Sequence, residues 1–243
     1  AIKTIIPALF DKVHSEHAAA FDTYVWPLLQ EDPRRYIYPS MLHGVDEEYP
    51  AEIATGIDTE APNLLDRRKP WNRPAAPSHA LPTEIWRETI SRHQRTREVL
   101  AKLEAGELRT VADLITYNLN IRQFAQDVIE RCTDPALLRA FWVALAGRLP
   151  RKSNEKFRHG LSVLDPTCGS GAFLFAALQI LKPLYHACLT AMSGLLADEA
   201  IQGRTLGDKW KDIEETVERF HAGGTDRQCD YAEIGRASCR ERV

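Results

Sequence analysis

The chain has 243 residues, of which 44% are hydrophobic, and it carries a formal net charge of −3. A chain of this length and hydrophobic content can form one large domain or two small ones with a hydrophobic core. The charge excludes a global field that draws the chain onto DNA, so a nucleic-acid surface must be a local patch. The five cysteines include no Cys-x-x-Cys pair, which argues against a disulfide framework and a zinc ribbon. No apolar run approaches ~18 residues and no signal pattern is visible, so we expect no membrane association.

Residues 1–82 are predicted to be a helix followed by a proline-rich stretch. Helical spacing runs through residues 1–30, at Leu9, Val13, Phe21, Val25 and Leu28. Eight prolines then lie from Pro33 to Pro82. Because proline removes an amide donor and clashes with the preceding turn, this density excludes long helices. We expect this stretch to be irregular and to wrap around the rest of the chain.

Residues 83–160 are predicted to be a helical region with readable start and stop signals. Thr83 is expected to cap a helix that runs to about Glu104 and that Gly106 ends. Thr110-x-x-Asp113 has the form of a capping box for the next helix.

Two more helices complete this region. One apolar face repeats at helical spacing through Ile121, Phe124, Ala125, Val128, Ile129 and Cys132. Asp134 followed by Pro135 predicts a helix start, and Gly147 follows its predicted end.

Two basic segments are candidates for DNA-backbone contact. The helix predicted from Thr83 carries Arg87, Arg92, His93, Arg95, Arg97 and Lys102. Glutamates alternate with them, a pattern more typical of a solvated, paired helix face. A tighter cluster precedes the glycine motif described next and is the better phosphate candidate: Arg148, Arg151, Lys152, Lys156, Arg158 and His159. His14 and His17 lack a third ligand, so no metal site is expected.

The most informative segment is a short apolar run followed by a glycine loop. Leu161–Leu164 is predicted to be a buried strand, and a helix is expected from about Ala172. Between them the chain reads Asp165-Pro166-Thr167-Cys168-Gly169-Ser170-Gly171, and Phe173 follows. An acidic residue at a strand end, a glycine loop and a helix N-terminus together form a ligand site in open α/β sheets.

Each residue type in this loop suits a cofactor that carries an ammonium and a carboxylate group. Gly169 and Gly171 can take positive φ and let the backbone approach a ligand. Asp165 can accept a hydrogen bond from the ammonium group, and Pro166 stiffens the turn. Ser170 and the free amides of the loop, including those of Thr167 and Cys168, can donate to the carboxylate. Phe173 can pack under the loop or against the ligand.

Other glycine-loop chemistries do not fit the spacing. A dinucleotide fingerprint requires a third small residue where Leu174 lies, and a P-loop requires Gly-Lys-Ser/Thr where Gly171-Ala172 lies. Cys168 lies near a helix N-terminus, but the sequence places no histidine to activate it as a nucleophile.

Residues 165–174 resemble the first S-adenosylmethionine-binding motif of adenine-specific DNA methyltransferases, with the sequence pattern Asp-Pro-x-Cys-Gly-Ser-Gly-x-Phe-Leu. Three upstream blocks resemble the region before that motif in type IIG restriction–modification enzymes and BREX phage-defence methylases: 71–74, 80–88 and 114–130. The resemblance covers roughly residues 30–230. It implies S-adenosylmethionine bound by Asp165, Pro166, Thr167, Cys168, Gly169, Ser170, Gly171 and Phe173, with no metal.

The resemblance also implies an architecture and a setting. The expected fold is mainly α with the start of an α/β doubly wound, Rossmann-like methyltransferase sheet, truncated within residues 161–232. The expected partners are double-stranded DNA and restriction or defence-system subunits, in the cytoplasm of a bacterium or archaeon. Residues 233–243 have the wording of translated sequencing-adapter DNA and are left out of the fold prediction.

The sequence contains no Asn/Asp-Pro-Pro-aromatic tetrapeptide, the family motif that holds the flipped adenine. No catalytic residue is therefore assigned, and the chain is expected to be an inactive N-terminal fragment. Two other hypotheses stay open. One is a methyltransferase that acts on rRNA or on a protein glutamine, and the other is a non-enzymatic helical interaction module.

Overall fold

A computed structural model describes residues 2–147, 159–166, 169–201 and 211–221. Over these residues the secondary structure is helical, and two short 3₁₀ helices span Pro33–Tyr36 and Lys69–Asn72. The α-helices in chain order are α1 (Ile2–Tyr24), α2 (Pro27–Glu31), α3 (Pro39–Leu42), α4 (Ala51–Ala54), α5 (Leu64–Arg67), α6 (Trp86–Glu104), α7 (Val111–Thr116), α8 (Ile121–Glu130), α9 (Pro135–Ala146), α10 (Ala172–Ile201) and α11 (Lys211–His221).

The main core lies where α1, α8, α9 and α10 pack against one another. Each of these helices buries an apolar stripe, as the 3.6-residue spacing requires. Phe10 of α1 lies at its centre, with its ring centroid 5.5 to 6.2 Å from those of Phe21, Phe124 and Phe141. These tilted, edge-to-face pairs contribute beyond their buried area.

The proline-rich stretch packs on α6 through a second, smaller cluster. Ile53, Trp71, Trp86 and Ile90 form this cluster and are all buried. The indole Nε1 of Trp71 donates to the carbonyl oxygen of Ile53 at 3.0 Å. The helices between Pro33 and Pro82 are only four residues long, as expected where prolines interrupt the backbone ladder.

Two predicted helix starts are confirmed. The Thr110 hydroxyl accepts from the Asp113 amide at 3.2 Å, and the Asp113 carboxylate accepts from the Thr110 amide at 2.9 Å. Asp134 caps α9 by accepting from the Ala136 amide at 2.9 Å. Both predicted stop glycines have positive φ, 66° at Gly106 and 79° at Gly147.

The predicted start of α6 is wrong. Thr83 does not cap this helix; it lies before it with a φ of 73°. The helix begins at Trp86, where the Glu88 carboxylate accepts from the Ile85 amide at 3.0 Å. Glu88 therefore caps α6 from inside its first turn.

The predicted start of a doubly wound, Rossmann-like sheet is contradicted by the structure. Leu161–Leu164 lies in no strand, and the described part of the chain contains only an isolated bridge between Pro74 and Ile85. A strand needs a backbone partner, and the amide of Leu161 instead donates to the carbonyl of Leu145 at the end of α9. Leu164 is 86% exposed, whereas a buried strand would cover both faces. The mainly α part of the prediction agrees with the structure.

One helix has the length and composition of a membrane span, Ala172–Asp198 of α10. The prediction that no apolar run in the sequence approaches the length of a membrane span is therefore wrong. Buried core helices can meet the same criterion; α10 packs on α8 and α9, although only 33% of its apolar stretch is buried. Beyond its first turns, the exposed positions of this helix include Gln179, Lys182, His186 and Thr190. This polar face is typical of a helix that packs on a protein core on one side only.

Candidate functional site

The chain enters the predicted cofactor loop along the C-terminal end of α9. The ammonium group of Lys12 in α1 donates to the carbonyl of His159. The Leu161 amide donates to the Leu145 carbonyl at 3.2 Å. Leu161 and Val163 are half-buried and pack on the main core. The segment that leads to the loop is therefore held by α1 and α9.

The loop itself has the backbone that the sequence predicts for its glycines. Gly169 has a φ of 50° and Gly171 a φ of 74°, in the left-handed region that side chains disfavour. Helix α10 begins at Ala172, as predicted, and the Phe175 amide donates to the Gly171 carbonyl at 2.9 Å. The amides of the first turn thus lie directly after the two glycines, and amides at this position have no partner within the helix.

The predicted ligand-contacting side chains differ in exposure. Asp165 is half-buried, whereas Pro166 and Ser170 are exposed. Phe173 is 44% exposed, so its ring does not pack fully under the loop. Thr167 and Cys168 lie outside the described residues. The described residues fit a zwitterionic ligand in chemistry: a carboxylate before the loop, a hydroxyl within it and helix amides after it.

Two of the basic residues of α6, Arg92 and His93, lie in a buried polar network, and the others are at least partly exposed. The Arg92 guanidinium donates to the carbonyl oxygens of His43 and His79, each at 2.7 Å. It also pairs with the Glu84 carboxylate at 2.9 Å, and both side chains are largely buried. Arg97 donates to the Val45 carbonyl at 2.5 Å. These groups bind the proline-rich stretch to α6.

His93 belongs to the same buried network and is fully buried. Its Nε2 lies 3.0 Å from the carbonyl oxygen of His43, and its Nδ1 lies 2.9 Å from the Tyr49 hydroxyl. Because a carbonyl only accepts, Nε2 carries the proton and Nδ1 accepts from Tyr49. Burial, together with the nearby positive charges of Arg92 and Arg97, lowers the pKa of His93.

This buried network was not predicted, although the spacing of polar residues along α6 indicates it. Thr89, Arg92, His93 and Thr96 occupy positions among the apolar residues on the inward stripe of α6. Polar residues at core positions of a helical repeat require buried partners, so this spacing predicts such a network.

A second ion pair joins the proline-rich stretch to α8, with its carboxylate buried and its guanidinium about half exposed. Arg35 forms a two-point contact with the nearly buried Asp127, with Nη2 donating to Oδ1 at 2.8 Å. Burial by itself raises the pKa of Asp127, but the hydrogen bonds from Arg35 and Gln123 outweigh it and lower that pKa. This pair has a structural role.

Other sites considered from the sequence gain no support over the described residues. No group of three or more His, Cys, Asp or Glu side chains that could hold a metal ion occurs there. Cys132 and Cys188 are free and buried, and burial raises the pKa of the Cys132 thiol to about 11. A protonated, buried thiol is not a nucleophile. Of the basic cluster before the loop, only His159 belongs to the described residues.

A cleft of about 310 Å³ lies between the end of α1 and the turn after α6. Its lining includes Asp22, Trp26, Gln30, Gly106, Leu108 and Arg109. None of the residues predicted to bind the cofactor lies in this cleft. Its Asp22 carboxylate already accepts from the Trp26 indole at 2.8 Å and pairs with His14 at 3.2 Å.

Comparison with known proteins gives no family for this chain. No family model matches the sequence, and neither a curated protein nor a solved structure matches it.

Proposed function

We propose that residues 165–173 bind S-adenosylmethionine and that the chain is the cofactor-binding part of an adenine-specific DNA methyltransferase, in restriction–modification or phage defence. The observation that carries this proposal is the pair of positive φ angles at Gly169 and Gly171, directly before the first turn of α10. These two φ angles occur in the segment whose sequence resembles the first cofactor motif. Neither a sheet nor a strand at Leu161–Leu164 is part of the proposal.

The cofactor supplies an activated methyl group, and the residues of this loop hold it. Asp165 accepts a hydrogen bond from the cofactor ammonium and balances its charge. Ser170 and the amides of the first turn of α10 donate to its carboxylate. Gly169 and Gly171 leave space for the ligand beside the backbone. Holding the donor in one orientation is the contribution of this loop, because methyl transfer is governed mostly by positioning.

No residue of this chain is proposed to hold the acceptor adenine. The Asn/Asp-Pro-Pro-aromatic motif that does so in the family is absent from the sequence. A base must be extruded from the duplex and stacked before its amino group is reached. The proposal therefore assigns cofactor binding to this chain and assigns catalysis to none of its residues.

The test is direct binding of S-adenosylmethionine to the 243-residue chain. Saturation-transfer difference NMR detects weak ligands, and we expect saturable binding in the millimolar range. Gly171→Val should weaken it by about tenfold or more, because a β-branched residue disfavours positive φ and fills the ligand's space. Gly194→Val is the matched control, since a Cβ at this position meets no atom within 4 Å. Absence of binding by the wild-type chain, or equal binding by Gly171→Val, contradicts the proposal.

The second candidate is a non-enzymatic helical interaction module in which residues 159–171 only connect α9 to α10. The helical character of the described residues favours it. It predicts no transfer of saturation to S-adenosylmethionine from either the wild-type chain or the two variants, so the same experiment separates the two candidates.

A further inference from the structure

The segment 161–185, which carries the glycine loop, is closed at its base by one backbone atom, the carbonyl oxygen of Leu145. On the entering arm, the Leu161 amide donates to it at 3.2 Å. Thirteen residues after the start of α10, the Tyr185 hydroxyl donates to the same oxygen at 2.8 Å. Carbonyls in the last turn of a helix have no partner within the helix, so this oxygen is available for both donors.

The approach of the entering arm to α9 depends on a glycine. A Cβ at Gly160 would lie 2.4 Å from the Leu145 oxygen and 2.8 Å from both the Ala146 carbonyl carbon and the Gly147 nitrogen. All three atoms are backbone, which cannot move aside like the end of a flexible side chain. Position 160 therefore accepts only glycine without displacement of the arm from α9.

Helix α10 is held at this carbonyl by a tyrosine whose ring also packs on α9. The Tyr185 ring lies edge-to-face with Trp142 of α9, with a centroid distance of 5.8 Å and an interplanar angle of 89°. Burial raises the pKa of Tyr185 to about 12, so its hydroxyl stays a donor at neutral pH. The ring fixes the place of the hydroxyl, and the hydroxyl ties α10 to the same carbonyl that holds Leu161.

We infer that Gly160 and Tyr185 are positioning residues for the glycine loop, because they close the segment that carries it at the Leu145 carbonyl. We call this closure the clamp. A loop fixed at both ends loses less conformational freedom when it binds a ligand. For S-adenosylmethionine this consequence rests on the proposed function, whereas the clamp itself does not.

Hydrogen exchange tests the clamp without any ligand. In Gly160→Ala, exchange at the Leu161 and Phe175 amides should accelerate by about tenfold or more, because an overpacked contact costs of order 1–3 kcal/mol. Tyr185→Phe keeps the ring and removes one hydrogen bond, so we expect an acceleration of about three- to tenfold. Gly194→Ala makes the same chemical change where the side chain meets nothing, and exchange should match the wild type.

Acceleration confined to residues 159–185 in both variants supports the clamp. If the variants exchange at the wild-type rate in this segment, the clamp is overturned. An equal acceleration in α1 and α8 also overturns it, because that would indicate only global destabilisation. Cofactor binding is measured on the same samples, and both variants should bind S-adenosylmethionine about three- to tenfold more weakly. If the wild-type chain does not bind, the proposed function fails and exchange alone decides the clamp. If accelerated exchange leaves cofactor affinity unchanged, the positioning role for the cofactor is overturned.

Discussion

Arg92 connects three parts of the chain through one buried guanidinium group. It donates to backbone carbonyls before α4, to the His79 carbonyl and to the Glu84 carboxylate. Removal of one partner of a buried pair leaves an uncompensated charge, which is more costly than the loss of a surface ion pair. The attachment of the proline-rich stretch to α6 should therefore depend strongly on this residue.

We expect Arg92→Ala to lower the free energy of unfolding by about 3–5 kcal/mol, since Glu84 and several carbonyls then remain buried without their donor. Arg95→Ala is the control on the exposed face of the same helix and should change it by less than about 0.5 kcal/mol. Urea unfolding followed by circular dichroism measures both. Equal losses in the two variants would contradict the role assigned to Arg92.

His93 gives the fold a pH dependence with a definite sign. Its pKa is lowered in the folded chain, so the unfolded chain binds more protons in the interval below the usual value of about 6.5. Stability from the neutral ring is complete above that pH and is lost as the pH falls through it. We expect the free energy of unfolding to fall between pH 7.5 and pH 5, and this slope should flatten in His93→Gln. The carboxylates of Glu84 and Asp127 have lowered pKa values and act at lower pH, outside this interval.

At the scale of single elements, helix boundaries that depend on neighbouring residues were predicted correctly more often than features that depend on a distant part of the chain. The cap at Thr110, the start at Asp134 and the stop at Gly147 depend on neighbours within a few residues, and all three are confirmed. Thr83 has the same chemistry as Thr110, but the chain makes a further turn before α6 begins. Its position depends on Glu84 and Arg92, which are held by tertiary contacts.

The two threonines should respond to mutation in opposite directions. Thr110→Ala removes a cap and should lower the free energy of unfolding by about 1 kcal/mol. Thr83→Gly relieves a β-branched residue at positive φ and should raise it by a few tenths to about 1 kcal/mol, despite glycine's larger unfolded-state entropy. Thermal unfolding of the two variants measures the difference. A loss of about 1 kcal/mol in Thr83→Gly would instead support a capping role for Thr83.

The segment Leu161–Leu164 shows why a strand was wrongly predicted from a local sequence pattern. A short apolar run between turn residues is compatible with a strand, but a strand exists only beside a partner. Here the partner of Leu161 is a helix carbonyl, and only alternate residues contact the core. The glycines that follow were predictable, because positive φ is a local property of glycine.

At the scale of the whole molecule, the chain combines a helical core with a glycine loop at the start of its longest described helix. The core explains the fold of α1, α8, α9 and α10, and the loop carries the proposed function. These two parts meet at the end of α9, where the chain enters the loop. Stability and cofactor binding should therefore be separable by mutations within the loop.

We expect no methyl transfer to DNA by this 243-residue chain. No residue in it is assigned to hold the acceptor nitrogen, and orientation of the reactants can supply ~7–11 kcal/mol of the barrier reduction. Tritiated S-adenosylmethionine and unmethylated duplex DNA measure the rate, with a no-protein blank as the control. Incorporation above the blank would show that the chain holds its own acceptor site and would contradict the assignment of catalysis to none of its residues.

The most direct test of the central proposal is to locate the bound cofactor on the chain. Ultraviolet crosslinking with methyl-tritiated S-adenosylmethionine, followed by tryptic mapping, should label the peptide that begins at His159 and contains the glycine loop. The label should be lost in Gly171→Val and retained in Gly194→Val. Labelling of a different peptide, or labelling that Gly171→Val does not reduce, would contradict the assignment of residues 165–173 as the cofactor-binding loop.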